Sequence, residues 1–362
     1  MKIMYVASEV APFIKTGGLG DVAGSLPKAL AAEGHEVAVF CPLYSAIPAT
    51  WREKMTYLKN AYVQLGWRNQ YCGVFEYTDD EVTYYFIDNE YYFARGQVYG
   101  EYDDAERFAF FSKAVLEILP DLDFKPDVIN CNDWQTALVP VYYNLMFAGR
   151  EYYQGMKTVF TIHNIAYQGR YGREILEYVL GIDDAHYRSG FMAMDGDVNL
   201  MKAAIVASNA VTTVSPSYAE EIQTPYYGHG LDPILRDCSY KLHGIINGID
   251  QETFDPAHDP YLFKNYTTRT LKNKAVNKAE LLAMCGLEGT DETPVIGMVS
   301  RFAGHKGFDL IEAVLDEILE EDVRLIVLGK GEWRYEQMFM EAKRRYPGKI
   351  SASIMFSAEL AS

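Results

Sequence analysis

Three closely spaced glycines near the start of the chain, flanked by a lysine and an aspartate, have the clearest chemical potential. The segment reads Lys15-Thr16-Gly17-Gly18-Leu19-Gly20-Asp21, between an apolar run that predicts a strand over 2–8 and an Ala/Leu-rich run that predicts a helix over 22–32. Glycines let the backbone approach a ligand closely, and the free N–H groups at a helix start attract anions. The segment therefore predicts a phosphate or pyrophosphate site to which Lys15 adds a positive charge. The alternative is that the glycines only pack the helix against the strand.

A second glycine turn repeats this pattern around residue 300. It reads Ser300-Arg301-Phe302-Ala303-Gly304-His305-Lys306-Gly307, after one predicted strand and before a predicted helix. Arginine can grip phosphate oxygens with two parallel hydrogen bonds, and lysine acts as a point charge. One such site in each of two domains predicts a ligand held in the cleft between them. Otherwise Arg301 and Lys306 are solvated surface charges. A third glycine turn, at 328–331, is better explained as a structural connection.

Length and charge limit the classes of partner. A chain of 362 residues exceeds what one core usually spans, which predicts two domains. The net charge of −17 repels polyanions. We therefore expect neither nucleic acid nor a membrane as a partner, and the oligomeric state stays open.

Cysteine and histidine spacing argues against metal centres. The five cysteines are scattered without a CxxC pair, and the seven histidines form no HExxH motif. No disulfide framework, catalytic metal or cofactor is expected. A reducing compartment suits such cysteines, and the first residues lack the pattern of a secretory signal, so a cytoplasmic location is expected.

Strand-length apolar runs alternate with helical patterns, which predicts βαβ units around parallel sheets. In the first part of the chain we expect strands over 36–41, 127–130, 157–162, 210–214 and 243–246, and helices over 105–118, 134–146, 199–207 and 215–222. Three β-rich runs within about 61–88 predict an antiparallel insertion in or beside the main sheet. Pro27 is expected in the first turn of its helix or at a kink.

The alternation restarts after a polar stretch rich in Asp, Pro and Tyr. Strands are expected over 295–300, 324–328 and near 354–356, and helices over 308–319 and 332–345. Three strands are few for a Rossmann-like unit. We therefore predict an N-terminal Rossmann-like domain over 1–249, an interdomain connection and helix over 250–293, and an incomplete second domain over 294–362.

Several segments together resemble the bacterial glycogen synthase and plant starch synthase family over nearly the whole chain. Besides the two glycine turns they are 7–10 (Ala-Ser-Glu-Val), 107–111 (Arg-Phe-Ala-Phe-Phe), 132–134 (Asn-Asp-Trp), 161–169 (Thr-Ile-His-Asn-Ile-Ala-Tyr-Gln-Gly), 212–219 (Thr-Thr-Val-Ser-Pro-Ser-Tyr-Ala), 230–232 (Gly-Leu-Asp) and 246–250 (Ile-Asn-Gly-Ile-Asp). The resemblance implies a GT-B fold, in which two Rossmann-like domains face a cleft. It also implies a retaining transferase that moves glucose from ADP-glucose to the non-reducing end of an α-1,4-glucan.

The same resemblance implies roles for individual residues. Donor-binding roles fall on Lys15, Gly17, Gly18, Asn164, Arg301 and Lys306. Catalytic or cleft-lining roles fall on His163, Asp133, Glu9 and Asn247. Physical reasoning agrees for the cations, because breaking a sugar–diphosphate bond builds negative charge on the leaving group.

Each of the four catalytic or cleft-lining residues also has a simpler structural explanation. His163 could be a hydrogen-bonded core histidine, and Asp133 could cap a helix that starts at Trp134. Asn247 before Gly248 is a natural turn pair, and Glu9 could be a solvated loop carboxylate.

Two departures from the family pattern matter. His305 stands where the family usually has glutamine, and the later Glu-Pro-Cys-Gly-Leu and Gly-Gly-Leu…Asp-Thr-Val segments do not occur. We therefore expect a C-terminally truncated member that is inactive, or nearly so, as this chain.

A relative that uses another nucleotide sugar is one alternative, and two functions of other classes also compete with the synthase. One is a non-catalytic fragment that binds glucan or a nucleotide sugar. The other is a nicotinamide-dependent oxidoreductase, against which two features argue. The spacing of Gly18, Gly20 and Gly24 is one residue too long for the dinucleotide fingerprint, and no acidic residue ends the second predicted strand.

Overall fold

The computed structural model describes residues 1–79, 81–355 and 357–361. The chain divides into two compact units, Met1–Gly248 and Ile249–Ser362. Both are built from strands and helices in alternation, as expected for an α/β protein.

The first unit contains twelve labelled strands. They are β1 (Lys2–Val6), β2 (Glu36–Pro42), β3 (Thr56–Leu65), β4 (Arg68–Thr78), β5 (Val82–Asp88), β6 (Val128–Asn132), β7 (Lys157–Ile162), β8 (Arg170–Tyr171), β9 (Ala193–Met194), β10 (Asp197–Asn199), β11 (Ala210–Thr213) and β12 (Leu242–Gly244). Nine of them form one sheet in the order β12-β11-β7-β6-β1-β2-β5-β4-β3. The pairings from β12 to β5 are parallel, and β4 and β3 continue the sheet antiparallel. The β-rich runs around 61–88 therefore extend one edge of the main sheet.

Helices cover this sheet, and a small antiparallel sheet of β8, β10 and β9 lies outside it. The helices are α1 (Gly18–Ala32), α2 (Ala49–Arg52), α3 (Glu90–Phe93), α4 (Asp104–Glu117), α5 (Leu138–Tyr142), α6 (Ala185–Arg188), α7 (Leu200–Ala207), α8 (Pro216–Glu221) and α9 (Asp232–Asp237). Shorter 3-10 turns cover Leu119–Asp121, Trp134–Thr136, Glu151–Tyr153 and Ser239–Lys241, and π-helical turns cover Tyr143–Phe147 and Leu176–Leu180.

The second unit has a parallel sheet with the order β13-β14-β15. Its strands are β13 (Val295–Val299), β14 (Arg324–Leu328) and β15 (Ile350–Ser353), and its helices are α10 (Lys274–Met284), α11 (Phe308–Glu320), α12 (Trp333–Arg345) and α13 (Ala358–Ala361). The 3-10 turns are Leu271–Asn273 and Gly304–Lys306. The strand expected near 354–356 was misplaced, because β15 already ends at Ser353 and residues 354–355 are not in a strand; Phe356 lies outside the described residues.

Two helix predictions were wrong in detail. Helix α1 already begins at Gly18, so the buried Pro27 lies well inside it rather than in its first turn. The helix expected over 134–146 is a succession of a 3-10 turn, α5 and a π-helical turn. A mid-helix proline removes one N–H donor, but in both places the surrounding core holds the segment, because Pro27 and Pro140 are buried.

No helix within the described ranges combines the length and apolar character that crossing a bilayer requires.

An aromatic cluster anchors the loop that joins β1 to α1. Phe13 is buried, and its ring centroid lies 5.0 Å from those of Trp51, Tyr84 and Phe86 and 5.5 Å from that of Tyr77. These edge-to-face contacts are a favourable arrangement for aromatic rings. The glycine turn that follows Phe13 is therefore attached to the core of the first unit.

Replacing Phe13 with alanine is expected to lower the free energy of unfolding of the first unit by about 3–5 kcal/mol, because it leaves a cavity among four rings. Urea denaturation followed by circular dichroism measures this change. The control is Tyr102→Ala, whose side chain is 85% exposed and whose loss should change the free energy of unfolding by at most about 0.5 kcal/mol. Equal losses in the two variants would contradict the anchoring role.

Candidate functional site

Three neighbouring parallel strands bring predicted site residues to one edge of the main sheet. In the register, Val6 of β1 lies beside Cys131 of β6, and Asn132 of β6 lies beside Thr161 of β7. The carboxyl ends of parallel strands share one edge, where ligands of α/β proteins bind. Glu9, Asp133 and His163 follow these strands and are therefore placed near one another.

The Glu9 carboxylate holds the glycine turn from inside. It is 2% exposed, and it accepts hydrogen bonds from the N–H groups of Thr16 at 2.5 Å and Gly20 at 3.2 Å. Burial raises the pKa of Glu9, although its hydrogen bonds with Thr16 and Gly20 act in the opposite direction. The interpretation as a solvated loop carboxylate is wrong, because the side chain is buried. The carboxylate also occupies part of the expected anion site, since it accepts hydrogen bonds from two N–H groups of the turn.

The Lys15 side chain forms an ion pair with Asp21. Its Nζ lies 2.6 Å from Oδ1 of Asp21, in the first turn of α1, and both side chains are about two-fifths exposed, at 44% and 39%. Such an exposed pair stabilises the fold little. It nevertheless reduces the net positive charge that the turn offers to an anion.

The glycines of this turn divide into two kinds. A Cβ on Gly24 would lie 2.6 Å from the carbonyl oxygen of Ala11, and one on Gly20 would lie 3.1 Å from Cβ of Lys15. These two glycines permit close packing of α1. By contrast, a Cβ on Gly18 would have no neighbour within 4 Å, and one on Gly17 would have its nearest neighbour at 3.8 Å. The packing explanation thus applies to Gly20 and Gly24, whereas Gly17 and Gly18 are exposed at the helix start.

Asp133 joins the end of β6 to the segment after β7. Its Oδ1 accepts hydrogen bonds from the N–H groups of His163 at 2.8 Å and Asn164 at 3.3 Å. The following 3-10 turn has no side-chain cap, so the capping explanation is wrong. The backbone of Asp133 has φ 58° and ψ 180°, a conformation that costs a non-glycine residue about 1–3 kcal/mol. Burial raises the pKa of Asp133 to about 7, against the lowering effect of its two backbone hydrogen bonds.

The His163 ring is partly exposed and has one partner. Its Nε2 lies 2.9 Å from Oδ1 of Asn132, and burial lowers the pKa of His163 to about 4. Near neutral pH the ring is therefore uncharged. Sequence reasoning quoted Asn132 only within a motif and assigned it no role, although its position beside Asp133 was a usable signal.

The segment after His163 is held by side-chain hydrogen bonds. Oδ1 of Asn164 accepts from the N–H of Ala166 at 3.0 Å. The Gln168 amide donates to the carbonyl oxygens of Ile165 and His229, both at 3.1 Å, and accepts from Asn199 at 2.6 Å. Asn164 thus lies in the same cluster as Asp133 and His163, while Gln168 and Asn199 support it.

Asn247 is not joined to this cluster. It is exposed in the segment 245–250, which contains no turn, so the turn prediction was wrong. Its side chain takes part in no hydrogen bond with the described part of the chain.

In the second glycine turn, which lies in the other unit, a carboxylate also accepts a hydrogen bond from a backbone N–H group. The N–H of Gly304 donates to Oε1 of Glu332 at 3.0 Å. Arg301 and Lys306 are exposed, and among the described residues neither forms an ion pair. Burial, together with the nearby charges of Lys306 and Arg301, lowers the pKa of His305. This turn therefore offers two exposed cations without ion-pair partners in the described part of the chain, with the Glu332 carboxylate on the same turn.

The third glycine turn packs against the second. A Cβ on Gly329 would lie 1.9 Å from the carbonyl oxygen of Ser300, and one on Gly331 would lie 2.1 Å from that of Phe302. The N–H of Phe302 also donates to the carbonyl oxygen of Lys330 at 3.1 Å. The structural explanation of this turn agrees with these contacts.

The described residues contain no group of three or more His, Cys, Asp or Glu side chains that could hold a metal ion.

Asp133 and His163 should affect the pH dependence of stability in opposite directions. Because the pKa of Asp133 is raised to about 7, this residue makes stability fall as the pH rises from about 4, its unfolded value, to about 7. Because the pKa of His163 is lowered to about 4, this residue makes stability rise between about 4 and about 6.5.

In Asp133→Asn we therefore expect the free energy of unfolding to lose the part that falls with rising pH. In His163→Gln we expect it to lose the part that rises with rising pH. Urea denaturation of both variants and the parent chain at intervals from pH 4.5 to about 7.5 measures this. Each variant is the control of the other, and a change of the same sign in both would contradict the assigned pKa shifts.

Comparison with known proteins identifies relatives over the whole chain. A family model described as the starch synthase catalytic domain matches residues 2–237. The glycogen synthases of Geobacillus thermodenitrificans and Desulforamulus reducens are both 48% identical over 361 residues, which is 100% of this chain and 74% and 75% of theirs. The chain thus spans about three quarters of the length of these relatives.

A solved structure is similar over nearly the same extent. It is the catalytic domain of starch synthase IV from Arabidopsis thaliana bound to ADP and acarbose, with a TM-score of 0.92 and 31% sequence identity. The match covers 99% of this chain and 75% of that one. The α/β fold class of the GT-B type is thereby confirmed. The chain belongs to the glycogen synthase and starch synthase family of glycosyltransferases, and it is an enzyme by family.

Proposed function

We propose that this chain carries ligand-binding residues of an enzyme that transfers glucose from ADP-glucose to the non-reducing end of an α-1,4-glucan, with retention of the anomeric configuration. The observation that carries the proposal is the cluster of Asp133, His163 and Asn164 beside a glycine turn that Glu9 braces. Polar groups suited to sugar hydroxyls and exposed backbone N–H groups suited to a diphosphate thus follow neighbouring strands of the main sheet. The similarity to a starch synthase bound to ADP and acarbose supports both ligand classes.

In this proposal the residues after β1, β6 and β7 bind the transferred glucose. The uncharged His163 ring and the Asn164 segment contact its hydroxyls. Asp133 orients them through its hydrogen bonds to both backbone N–H groups. Gly17 and Gly18 present N–H groups to the donor, with Lys15 beside them. Glu9 lines the site indirectly, by holding the turn.

The positive charges stabilise the departing ADP. Cleavage of the sugar–diphosphate bond leaves positive charge on the ring and negative charge on the diphosphate, so fixed cations lower the barrier. Arg301 and Lys306 suit this role because they are exposed and without ion-pair partners among the described residues. By analogy with an oxyanion donor, losing one should raise the barrier by roughly 2.7–4 kcal/mol.

We assign parts of the function to segments of the chain. Residues 1–249 form the acceptor side, residues 294–362 bind the nucleotide sugar, and residues 250–293 connect them. Asn247 is proposed to contact ligand from the end of the first segment, since its exposed side chain is available. All five cysteines are free thiols, which supports the proposed cytoplasmic location.

Ligand binding by the 362-residue chain tests the proposed function. Isothermal titration calorimetry is expected to find that ADP binds more tightly than UDP and that acarbose binds as well. Transfer of radiolabelled glucose from ADP-glucose to glycogen is expected to be absent or slight. If neither ADP nor acarbose bound, the proposal would be wrong. Rapid transfer would support the synthase function and refute the expected inactivity.

The proposed roles of Arg301 and Lys306 in ADP binding can be tested without disturbing the fold. Arg301→Ala and Lys306→Ala should each weaken ADP binding by roughly 10- to 100-fold, the effect of losing a hydrogen bond to a charged group. The matched control is Lys272→Ala, an exposed lysine of the same unit, which should leave ADP affinity unchanged. Calorimetry at one fixed salt concentration is the measurement. Unaltered ADP affinity in both variants would remove the donor-binding role of this turn.

A further inference from the structure

The side-chain amide of Asn132 has a defined orientation. Asn132 is fully buried at the end of β6. Its Nδ2 donates to the carbonyl oxygen of Val6 at 3.0 Å and to Oδ1 of Asn130 at 2.8 Å. Because a backbone carbonyl oxygen can only accept a hydrogen bond, the amide nitrogen must face Val6. The amide oxygen therefore faces the other way.

That oxygen meets two groups from the neighbouring strands. The Tyr5 hydroxyl lies 3.1 Å from Oδ1 of Asn132, and Nε2 of His163 lies 2.9 Å from it. An amide oxygen has no proton to give, so both partners must donate. Nε2 of His163 thus carries a proton. Since burial lowers the pKa of His163 to about 4, the ring has only this proton near neutral pH, and Nδ1 is a hydrogen-bond acceptor.

We infer that Asn132 is a positioning residue, which holds the His163 ring with its proton on Nε2 and so leaves Nδ1 to accept a hydrogen bond from a sugar hydroxyl. The choice of a sugar as the ligand rests on the proposed function. In the other tautomer His163 would present an N–H donor at Nδ1 instead. Asn132 therefore decides whether His163 accepts from the ligand or donates to it.

None of the titratable groups named below forms a hydrogen bond with the His163 ring, so Asn132 sets its tautomer. Asp133 binds the backbone N–H of His163 and not the ring. Tyr5 contributes its hydroxyl to Asn132, and the Tyr218 hydroxyl, from α8, accepts from the N–H of Ile165 at 3.3 Å. Glu9 is bound to the glycine turn. Among the described residues, Nδ1 of His163 has no hydrogen-bond partner.

Nuclear magnetic resonance of the ¹⁵N-histidine-labelled chain reports this tautomer directly, and His163→Gln identifies the His163 signal among the seven histidines. In the parent chain at pH 7 we expect a protonated Nε2 and an unprotonated Nδ1. Asn132→Leu removes the acceptor at similar volume, and the fraction with Nδ1 protonated should then rise. Tyr5→Phe is the matched control. It removes the other donor to Asn132 and should leave the tautomer unchanged.

Acarbose affinity supplies the second measurement. Asn132→Leu should weaken acarbose binding by roughly three- to tenfold, the effect of one hydrogen bond, whereas Tyr5→Phe should not. An unchanged His163 tautomer in Asn132→Leu would overturn the inference, and so would a changed tautomer with unchanged acarbose affinity. A protonated Nδ1 in the parent chain would overturn it at once. Absence of acarbose binding by the parent chain would instead count against the proposed function, because the tautomer is measured without ligand.

If Asn132→Leu does not fold, Asn132→Asp is the second variant. A carboxylate keeps an acceptor beside Nε2 and adds a negative charge, so it should preserve the tautomer and raise the pKa of His163 above its parent value. The pH titration of the His163 signal measures this pKa. An unaltered pKa would show that residue 132 does not govern the ring, which would overturn the inference.

Discussion

The hydrogen bonds that Oδ1 of Asp133 accepts from the N–H groups of His163 and Asn164 hold the site together. They join the ends of two adjacent parallel strands, and they fill backbone donors that the end of β7 leaves unpaired. Asp133 reaches them from a backbone conformation unusual for a non-glycine residue. Burial raises the pKa of the same carboxyl. The contact thus combines strain and desolvation at one residue, a combination common at functional sites.

In both glycine turns, a carboxylate of the same unit also accepts hydrogen bonds from backbone N–H groups. Glu9 accepts from Thr16 and Gly20 in the first turn, and Glu332 accepts from Gly304 in the second. An internal carboxylate orders a glycine-rich segment, which otherwise loses much conformational entropy on folding. It also leaves fewer N–H groups for an anion. Exposed N–H groups and side-chain cations must therefore do more of the binding than the glycine pattern alone suggests.

The sequence predicted the bounds of strands and helices correctly where the local residue pattern and the tertiary packing favour the same structure. The strands over 157–162 and 324–328 have the expected bounds, because short buried strands read as apolar runs between breakers. The first helix and the segment after Asp133 differed: α1 begins at Gly18 and includes the buried Pro27, and a 3-10 turn, α5 with the buried Pro140 and a π-helical turn follow Asp133. Packing overrides a local preference that costs a few kcal/mol, about 3 for proline within a helix.

By itself the sequence determined the family, the alternation of strands and helices, and the positions of the two glycine turns, since residue types and their spacing carry that information. Which glycines pack and which stay exposed follows from the folded chain alone, because it depends on how closely Ala11 and Lys15 approach α1. The fold also decided that Asp133 binds backbone N–H groups instead of capping a helix, and that Asn132 meets the His163 ring. These partners lie far apart in sequence, and parallel pairing of β6 and β7 brings them within hydrogen-bonding distance.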